Sequence, residues 1–458
     1  MNDDTLPQTV LFPDLFNKPL VATFDQPHAS SNGGAVLLKA AERQDGLIDG
    51  FARCLIDDRQ PGKVRHSLAD LLAQRIVGLA CGYPDANDAD RLADDPMHKR
   101  LLGRDPIEGM PLASPPTLSR FENDHGAQAL YHLGVTLAES VIERHRQRRH
   151  GRARRITIDL DPTDDPTHGA QQLSFFNGHY DTWCYLPLLA FVTFDGESEQ
   201  YLCAAVLRPG NAPATRGARG VVWRLLELLR EAFPTARFLV RLDGGFATPE
   251  ILDLLDFERV DDVVAMAENA VLTRRAEAAM IEARALSARS GQTEHVYTET
   301  RYAAKTWSRE RRVVIKAEVV CLAGREPRDN PRFVITNLRP TPRFVYEHVY
   351  CARGDIENRI KELHEGLQIG RTSGCRFWAN QLRVLLTAAA YVLMQEIRLR
   401  AARTACARTQ VTGLRERLLT LGVHVVGSVR RIVLHLPTST PDLTAWRHIA
   451  LALGARAG

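Results

Sequence analysis

The stretch RRITIDLD, residues 154–161, is the first part of the chain that reads as a β-strand. Apolar residues alternate in it with polar ones, and two of the polar ones are Asp159 and Asp161. Side chains two positions apart along a strand point to the same face of a sheet, so the two aspartates are predicted to project together. Carboxylates near the carboxyl end of a sheet strand indicate a ligand site at that edge.

The segments that follow this strand predict an α/β domain with a mixed sheet. After the first strand, these segments follow the order strand, strand, helix, strand, helix, strand. This order is typical of antiparallel hairpins joined to crossover connections. The segments are WCYLPLLAFVTF (183–194), YLCAAVLR (201–208), VVWRLLELLREAF (221–233), RFLVRLD (237–243), TPEILDLLDF (248–257) and DDVVAMA (261–267).

The character of the chain changes after residue 267. Two strand-like segments, RRVVIKAEVVCLAG and PRFVITNL, predict a second domain or a β-rich insertion. Helical patterns dominate the first 140 residues or so and return near the end, where two short strand-like segments also occur. We therefore divide the chain into a helical N-terminal region (1–145), a core in two parts (146–267 and 346–405), a β-rich insertion (268–345) and a C-terminal tail (406–458).

Composition narrows the class of protein. A chain of 458 residues with 45% hydrophobic and 25% charged residues has the composition of an ordinary globular protein with two or three domains. The acidic N-terminus has no apolar signal segment, and the longest apolar run, VLLTAAAYVLM, is too short to span a bilayer. Eight cysteines without C-x-x-C pairs favour reduced thiols in a cytoplasm over a structural zinc site.

Arginine is concentrated in two segments, although the net charge is only +4. Residues 144–155 hold seven arginines and no acid, and residues 398–431 hold eight arginines against the single acid Glu416. Such segments are often solvated surface. The alternative is contact with the phosphates of a nucleic acid, because the guanidinium group offers a fixed fork of donors.

The segment YCARGDIENRIKELHEGL, residues 350–367, predicts an amphipathic helix with an apolar stripe. Tyr350, Arg353 and Glu357 stand at positions i, i+3 and i+7, so they share a helical face beside that stripe. A solvated ion pair between Arg353 and Glu357 is the simplest interpretation. The other interpretation is that Glu357 joins a cluster of acids.

Asp243 is the remaining candidate for such a cluster, since it ends an apolar strand just before a Gly-Gly turn. An aspartate in this position also commonly caps the turn that follows. Three clustered carboxylates would repel one another unless a cation compensated them. Oxygen ligands of this kind select Mg²⁺ or Mn²⁺, and two such ions can activate an attacking oxygen and stabilise a leaving oxygen at a phosphate.

Three motifs in this order resemble the catalytic core of bacterial DDE transposases, specifically the insertion-sequence family numbered 1380. The motifs are LDPTDDPTHG (160–169), RLDGGFATPE (241–250) and YCARGDIE (350–357). The resemblance implies a ribonuclease-H-like fold with a β-rich insertion, and it implies that Asp161, Asp243 and Glu357 are catalytic acids that bind two Mg²⁺ or Mn²⁺ ions. Asp159, on the same strand face, is kept as a further metal ligand and as the alternative first acid.

The resemblance also implies contacts with DNA. Tyr350 and Arg353 belong to the signature around the third acid and would position the DNA strand. The signature has a lysine seven residues after the glutamate, where this chain has His364, so Lys361 or His364 would contact a phosphate. Trp307 lies among basic residues and would either stack on an unpaired base or pack into the small core of the insertion.

We therefore expect a transposase of a bacterial mobile element, acting in the cytoplasm at the nucleoid, that cuts the ends of an insertion sequence and joins them to target DNA. Its partners would be the terminal inverted repeats, read by the N-terminal helical region, the target DNA and a second copy of the chain. Two alternatives stay open at this point: a non-catalytic DNA-binding protein derived from a transposase, and a metal-dependent DNA nuclease.

Overall fold

The computed structural model describes residues 9–11, 17–18, 20–23 and 25–456. The acidic first eight residues, on which the expectation of no secretory signal rests, lie outside these ranges. The helices are α1 (Val36–Asp45), α2 (Leu47–Arg53), α3 (Leu68–Cys81), α4 (Ala89–Leu92), α5 (Pro96–Leu101), α6 (Pro115–Asn123), α7 (Ala127–Arg148), α8 (Ala218–Ala232), α9 (Pro249–Phe257), α10 (Ala270–Ser290), α11 (Pro342–Phe344), α12 (Asp355–Lys361), α13 (Phe377–Arg400), α14 (Val411–Leu414) and α15 (Leu443–Ala452).

The strands fall into one large sheet and three small ones. They are β1 (Thr9–Leu11), β2 (Leu20–Ala22), β3 (Ala29–Ser30), β4 (Arg155–Pro162), β5 (Asp165–Pro166), β6 (Phe175–Asn177), β7 (Thr182–Tyr185), β8 (Leu188–Phe194), β9 (Tyr201–Val206), β10 (Arg237–Leu242), β11 (Asp261–Met266), β12 (Glu294–Tyr302), β13 (Arg311–Val320), β14 (Arg328–Asp329), β15 (Arg332–Thr336), β16 (Val423–Gly427) and β17 (Ile432–His435).

The large sheet has the order β12-β13-β15-β11-β10-β4-β8-β9, with β14 paired to β13. Strands β4, β10 and β11 are parallel to one another, and the other pairings are antiparallel. Helices α8 and α9 supply the crossovers between the parallel strands. The expected mixed α/β sheet, with antiparallel hairpins on one side and crossovers on the other, is confirmed.

The strands of the predicted insertion extend this same sheet. β15 pairs with β11, so that Ile335 lies opposite Val264, and β13 and β12 continue outward from β15. Helix α10 packs on β12 and β13 through small buried side chains such as Ala276 and Ala283. The interval between the second and third motifs is therefore strand-rich, but its strands form no separate sheet in the part of the chain that the structure describes.

Helix α13 lies along the other edge of the sheet and is buried over most of its length. Two of its glutamines bond to the free backbone of the edge strand β9. Gln381 accepts from the Leu207 N–H at 2.6 Å and donates to the Ala205 carbonyl at 3.2 Å, and Gln395 does the same for Leu202 and Gln200 at 3.2 and 2.7 Å. The edge strand is thus capped by side chains instead of by another strand.

The ends of the described chain come together in a small sheet. The two strand-like segments predicted in the tail form β16 and β17, and β16 also pairs with β3, so that Val423 lies opposite Ser30. None of the helices that the structure describes is both long and apolar enough to cross a membrane.

We predict that Gln381→Met lowers the free energy of unfolding by about 1–3 kcal/mol, because it leaves a buried N–H and a buried carbonyl of the β9 edge without partners. Urea denaturation followed by circular dichroism measures the change. Gln410→Met, at an exposed position before α14, is the matched control and should alter stability little. Equal stabilities of the two variants would contradict the capping role of Gln381.

Candidate active site

The carboxyl ends of the parallel strands β4 and β10 bring two of the predicted acids together. In the register of this pair Arg241 lies opposite Asp159. Moving two residues along each strand leads to Asp243 and Asp161, which therefore lie side by side on the same face at the edge where both strands end. This edge is called the carboxyl edge below, and it is where open α/β sheets bind their ligands.

Arg353 lies between the two aspartates. Its Nη2 atom is 2.7 Å from Oδ1 of Asp161 and 4.0 Å from Oδ2 of Asp243, and the arginine is only 9% exposed. The Arg353–Glu357 ion pair considered from the sequence is not formed: Glu357 is exposed and makes no ion pair within the described residues. The guanidinium group turns instead toward the sheet.

The negative charges of neighbouring acids affect the pKa of Asp161. Burial raises the pKa of Asp161 to about 7, the guanidinium of Arg353 opposes this, and the negative charges of Asp243 and Glu357 raise the pKa further. A largely buried carboxyl with two like charges nearby keeps its negative charge more readily when a cation lies beside it. The charges of Asp243 and Glu357 thus both act on Asp161.

Asp243 has two contacts that explain its position. Its Oδ1 atom accepts a hydrogen bond from the N–H of Gly245 at 2.9 Å, so it caps the turn at 244–246, while Oδ2 faces Arg353. A Cβ atom at Gly245 would come within 2.8 Å of the Ala214 side chain, which explains the need for glycine there. The capping role and the role in the acid cluster, which were alternatives in the sequence, occur together.

Asp159 lies one step deeper in the sheet and is 0% exposed. Both of its oxygens accept from Arg241, at 2.8 and 2.7 Å, and Oδ2 also accepts from Gln200 at 3.4 Å. Arg241 in turn donates to the Val349 carbonyl at 3.0 Å. The oxygens of Asp159 are thus engaged in a buried ion pair, and Asp161 as the first acid and metal ligand stays a prediction.

The helix predicted at 350–367 is continuous in its course but irregular in its hydrogen bonding. Residues 345–350 and 362–366 form wide turns with i→i+5 bonds, 351–354 form a tight 3₁₀ turn, and only α12 between them is α-helical. Wide turns of this type are rare in proteins, and those that occur are often found at functional sites. Within this segment Arg353 is buried and Glu357 is exposed.

Tyr350 is half-buried against a small apolar cluster and packs against Tyr346, with the rings tilted by 53° at a centroid distance of 5.4 Å. Burial raises its pKa, Arg353 opposes that shift and Asp243 reinforces it, so the tyrosine lies within electrostatic range of both residues. Tyr350 and Arg353, which the sequence assigned to DNA positioning, therefore flank the acid cluster.

Lys361 and His364 differ sharply in their surroundings. Lys361 is exposed, whereas the Nε2 atom of His364 lies 3.0 Å from the hydroxyl of Thr163. Burial lowers the pKa of His364, which favours the neutral imidazole. His364 connects the irregular helix to the loop after β4, and of these two residues only Lys361 offers a lasting positive charge to solvent.

Trp307 is not brought to the acids. Trp307 lies in the loop between β12 and β13, beside Arg311. In the sheet, Arg312 at the start of β13 pairs with Thr336 of β15, and Thr336 pairs with Val263 in the first half of β11. The loop therefore lies at the edge where the parallel strands begin, opposite the carboxyl edge. Trp307 packs edge-to-face on Tyr302 at 5.4 Å and against the core, with the Arg311 guanidinium 5.9 Å from its ring centre.

Tyr180 is a residue of this site that the sequence analysis missed. Burial raises its pKa to about 12, and the negative charges of Asp164, Asp161 and Asp243 reinforce the shift, so its hydroxyl lies near the acid cluster. It follows an Asn-Gly pair, which is a strong signal for a hairpin turn but carries no signal for chemistry.

The arginine-rich segments are partly engaged in ion pairs within the chain. Arg144, Arg148, Arg149, Arg398 and Arg417 each contact acids of neighbouring elements. Other arginines of these segments are exposed and form no ion pair within the described ranges; they are Arg152, Arg154, Arg155, Arg403, Arg408, Arg430 and Arg431. These are the arginines that remain accessible to an external anion.

The oxygen donors and charges of the acids indicate whether they could hold a metal ion. No group of three His, Cys, Asp or Glu side chains among the described residues is arranged to hold an ion as it stands. The donor set at the carboxyl edge nevertheless fits a hard divalent cation, because its acids offer only carboxylate oxygens. Burial, and after it the charges of Asp243 and Glu357, raise the pKa of Asp161, so positive charge beside Asp161 would be favourable.

We predict that Arg241→Met lowers the free energy of unfolding by about 3–5 kcal/mol, since it leaves the charge of Asp159 buried without a partner. Urea denaturation is the measurement. Arg343→Met, which removes an exposed pair with Glu347, is the control and should cost less than about 1 kcal/mol. A cost for Arg241→Met no larger than that of the control would contradict the proposed role of the buried pair.

The chain matches a family model but no curated protein. Residues 12–456 match the model described as Transposase DDE domain group 1, so the chain belongs to that family. The search of curated proteins found no match.

Proposed function

We propose, from this family membership, that the protein is a transposase that cleaves the ends of an insertion sequence and joins them to target DNA. The observation that carries the proposal is the acid cluster at the carboxyl edge, where Asp161 and Asp243 flank Arg353 and the charge of Glu357 acts on Asp161. Its three acids are those of the three motifs. The resemblance of these motifs to the insertion-sequence family numbered 1380 makes that family our proposal for the closer relationship.

We also propose that β9, β8, β4, β10 and β11 form the ribonuclease-H-like core that the resemblance implies. Three parallel strands with an antiparallel hairpin on one side, and with acids at the ends of the two central parallel strands, support this assignment. The strands β12, β13 and β15, with α10, would then be the insertion, attached through the β11 edge.

Asp161, Asp243 and Glu357 are the residues that would hold two Mg²⁺ ions, or Mn²⁺ ions. When bound, such ions lower the pKa of an attacking water or 3′-hydroxyl and neutralise charge on the leaving oxygen. The chain's own contribution is positional: the β4–β10 register aligns the aspartates, and the turn capped by Asp243 aims its second oxygen into the cluster.

Arg353 and Tyr350 would orient the phosphate that is cut. A guanidinium group matches two phosphate oxygens, and Arg353 is held at the acid cluster by Asp161. Lys361 on the exposed face of α12 would bind a neighbouring phosphate. A contact by Trp307 would require DNA that continues past the opposite edge of the sheet.

The accessible arginines of 152–155 and 403–431 would add affinity for the DNA backbone that falls as salt concentration rises. We further propose that the helical N-terminal region reads the terminal repeats and that two copies act on one pair of ends, because two ends must be joined to one target. Such a protein would work on DNA in the bacterial cytoplasm. An experiment on this function must distinguish cutting of the end DNA from its joining to the target.

We predict that Glu357→Gln binds end DNA as the wild type does but cleaves and joins it about a hundredfold more slowly or worse, because the third acid is lost from the cluster. The measurement follows labelled end DNA, with and without Mg²⁺, in the presence of an unlabelled target. Glu365→Gln, exposed on the same helical segment, is the matched control and should remain active.

The possible outcomes separate the three candidate functions. Cleavage with joining supports a transposase, whereas Mg²⁺-dependent cleavage without joined product would identify a nuclease. Binding without cleavage in the wild type, or equal activity of the wild type and Glu357→Gln, would contradict the proposed role of the acid cluster.

A further inference from the structure

A hairpin next to the acid cluster carries large apolar side chains on its surface. The strands β5, β7 and β6 form this small sheet directly after β4. Trp183 is 58% exposed and Phe176 is 50% exposed, and the two lie on the same face of neighbouring strands, whereas Phe175 points to the other face of this sheet. Single exposed apolar side chains are common on proteins, but a contiguous group is typical of a binding site. We call Phe176 and Trp183 the aromatic pair.

The aromatic pair is preorganised. Phe176 lies directly opposite Trp183 in the β6–β7 register, and their rings meet edge-to-face at 6.4 Å and 66°. In this arrangement the edge of one ring meets the face of the other, so the pair does not cover all of its own ring surface. Part of its aromatic surface therefore stays open to solvent.

The backbone under the aromatic pair is held firmly. Asn177 donates to the Gly210 carbonyl at 2.8 Å, and the hydroxyl of Tyr185 donates to the Gln172 carbonyl at 2.7 Å. A Cβ atom at Gly210 would lie 2.1 Å from the Cys184 carbonyl oxygen, so the hairpin packs directly on that backbone. A ring held on such a base loses little conformational freedom when a flat partner stacks on it.

The position of the hairpin relates it to a strand of DNA. Its turn carries Tyr180, which lies within electrostatic range of Asp161 and Asp243. At its other end Gln172 donates to the Cys375 carbonyl at 3.0 Å, next to Arg376. Arg376 lines a cavity of about 900 Å³ in which cations, among them Lys63, Arg65 and Arg120, outnumber the two acids Asp57 and Asp124. The aromatic pair thus lies on a hairpin that connects the acid cluster with basic surface.

We propose that the aromatic pair binds unpaired bases of the DNA strand that the acid cluster acts on. Aromatic rings stack on any base whose face is free, and in a paired duplex those faces are already covered by neighbouring bases. Cationic side chains nearby suit the phosphates of the same strand. The inference rests on the proposed function, since it assigns a strand-holding role to the surface beside the proposed catalytic residues.

The test measures binding of an unpaired strand without cutting. The full-length chain with Glu357→Gln is titrated with a fluorescein-labelled oligothymidine of about 12 nucleotides, a length within the usual range for aromatic single-strand sites. Trp183→Ala and Phe176→Ala are compared in this background, and Trp183→Phe tests whether a ring alone suffices. The control is Phe257→Ala, since Phe257 is 82% exposed at the end of α9, near the opposite edge of the sheet.

We expect Trp183→Ala and Phe176→Ala each to weaken oligothymidine binding by about tenfold, in line with the loss of one stacked base. Binding of an abasic strand of equal length and of a fully paired duplex should be unchanged, Trp183→Phe should restore much of the affinity, and Phe257→Ala should bind as the parent does. Unchanged thermal midpoints would show that the exposed positions do not disturb the fold.

Three results would overturn the proposal. One is oligothymidine binding by the alanine variants equal to that of the parent. Another is an equal loss of affinity for the oligothymidine and the abasic strand, which would show that base faces are not read. The third is a change of oligomeric state in Trp183→Ala with unchanged binding, which would identify the aromatic pair as a contact between copies of the chain.

These measurements are independent of catalysis. If wild-type protein neither cuts nor joins DNA but the alanine variants lose oligothymidine binding, the proposed function fails and the stacking site stands. If the wild type is active and the alanine variants bind oligothymidine normally, only the stacking site fails.

Discussion

The buried ion pair between Asp159 and Arg241 is the contact on which the rest of the site depends. It joins the two central parallel strands, and through the Val349 carbonyl it also holds the irregular helix that carries Arg353 and Glu357. A pair buried this completely leaves a strongly unfavourable charge if either partner moves, so it constrains both strands and the helix at once. The alignment of Asp161 with Asp243, two residues farther along each strand, follows from it.

The next layer outward is electrostatic. Asp161 would carry an unfavourable charge near Asp243 and Glu357, and Arg353 compensates it from within the cluster. The same guanidinium is the natural ligand for a phosphate, which brings negative charge of its own. One arginine does not neutralise both the three acids and an anionic substrate, so the cluster needs further positive charge to bind that substrate. This need is the physical basis for proposing divalent ions there.

The surroundings of the acid cluster divide the surface into parts with different chemistry. Lys361 and several arginines provide charge, His364 connects the irregular helix to the loop after β4, and the hairpin that follows provides aromatic surface. Trp307, the aromatic residue that its basic sequence neighbours singled out, lies at the opposite edge of the sheet and packs on Tyr302. Exposed aromatic rings are found instead at Phe176 and Trp183, on the hairpin that follows β4.

The sequence by itself determined the mixed α/β class, the main strands of the sheet and the order of the three acidic motifs. Alternation with period two and amphipathic helices are local properties, and they can be read from residues such as those of 154–161. The face shared by Asp159 and Asp161 follows from the same period. The tail strands could also be predicted, because each is a short apolar segment next to turn-forming residues.

Only the tertiary structure decided which of these residues meet. The register between β4 and β10 separates the buried Asp159 from Asp161, and it arises from residues 82 positions apart, Asp159 and Arg241. The extension of the sheet by β12, β13 and β15 depends on the pairing of β15 with β11, which no local pattern specifies. Local periods fix the direction of a side chain, whereas its partner is chosen by long-range packing and charge compensation, which act only once the chain has folded.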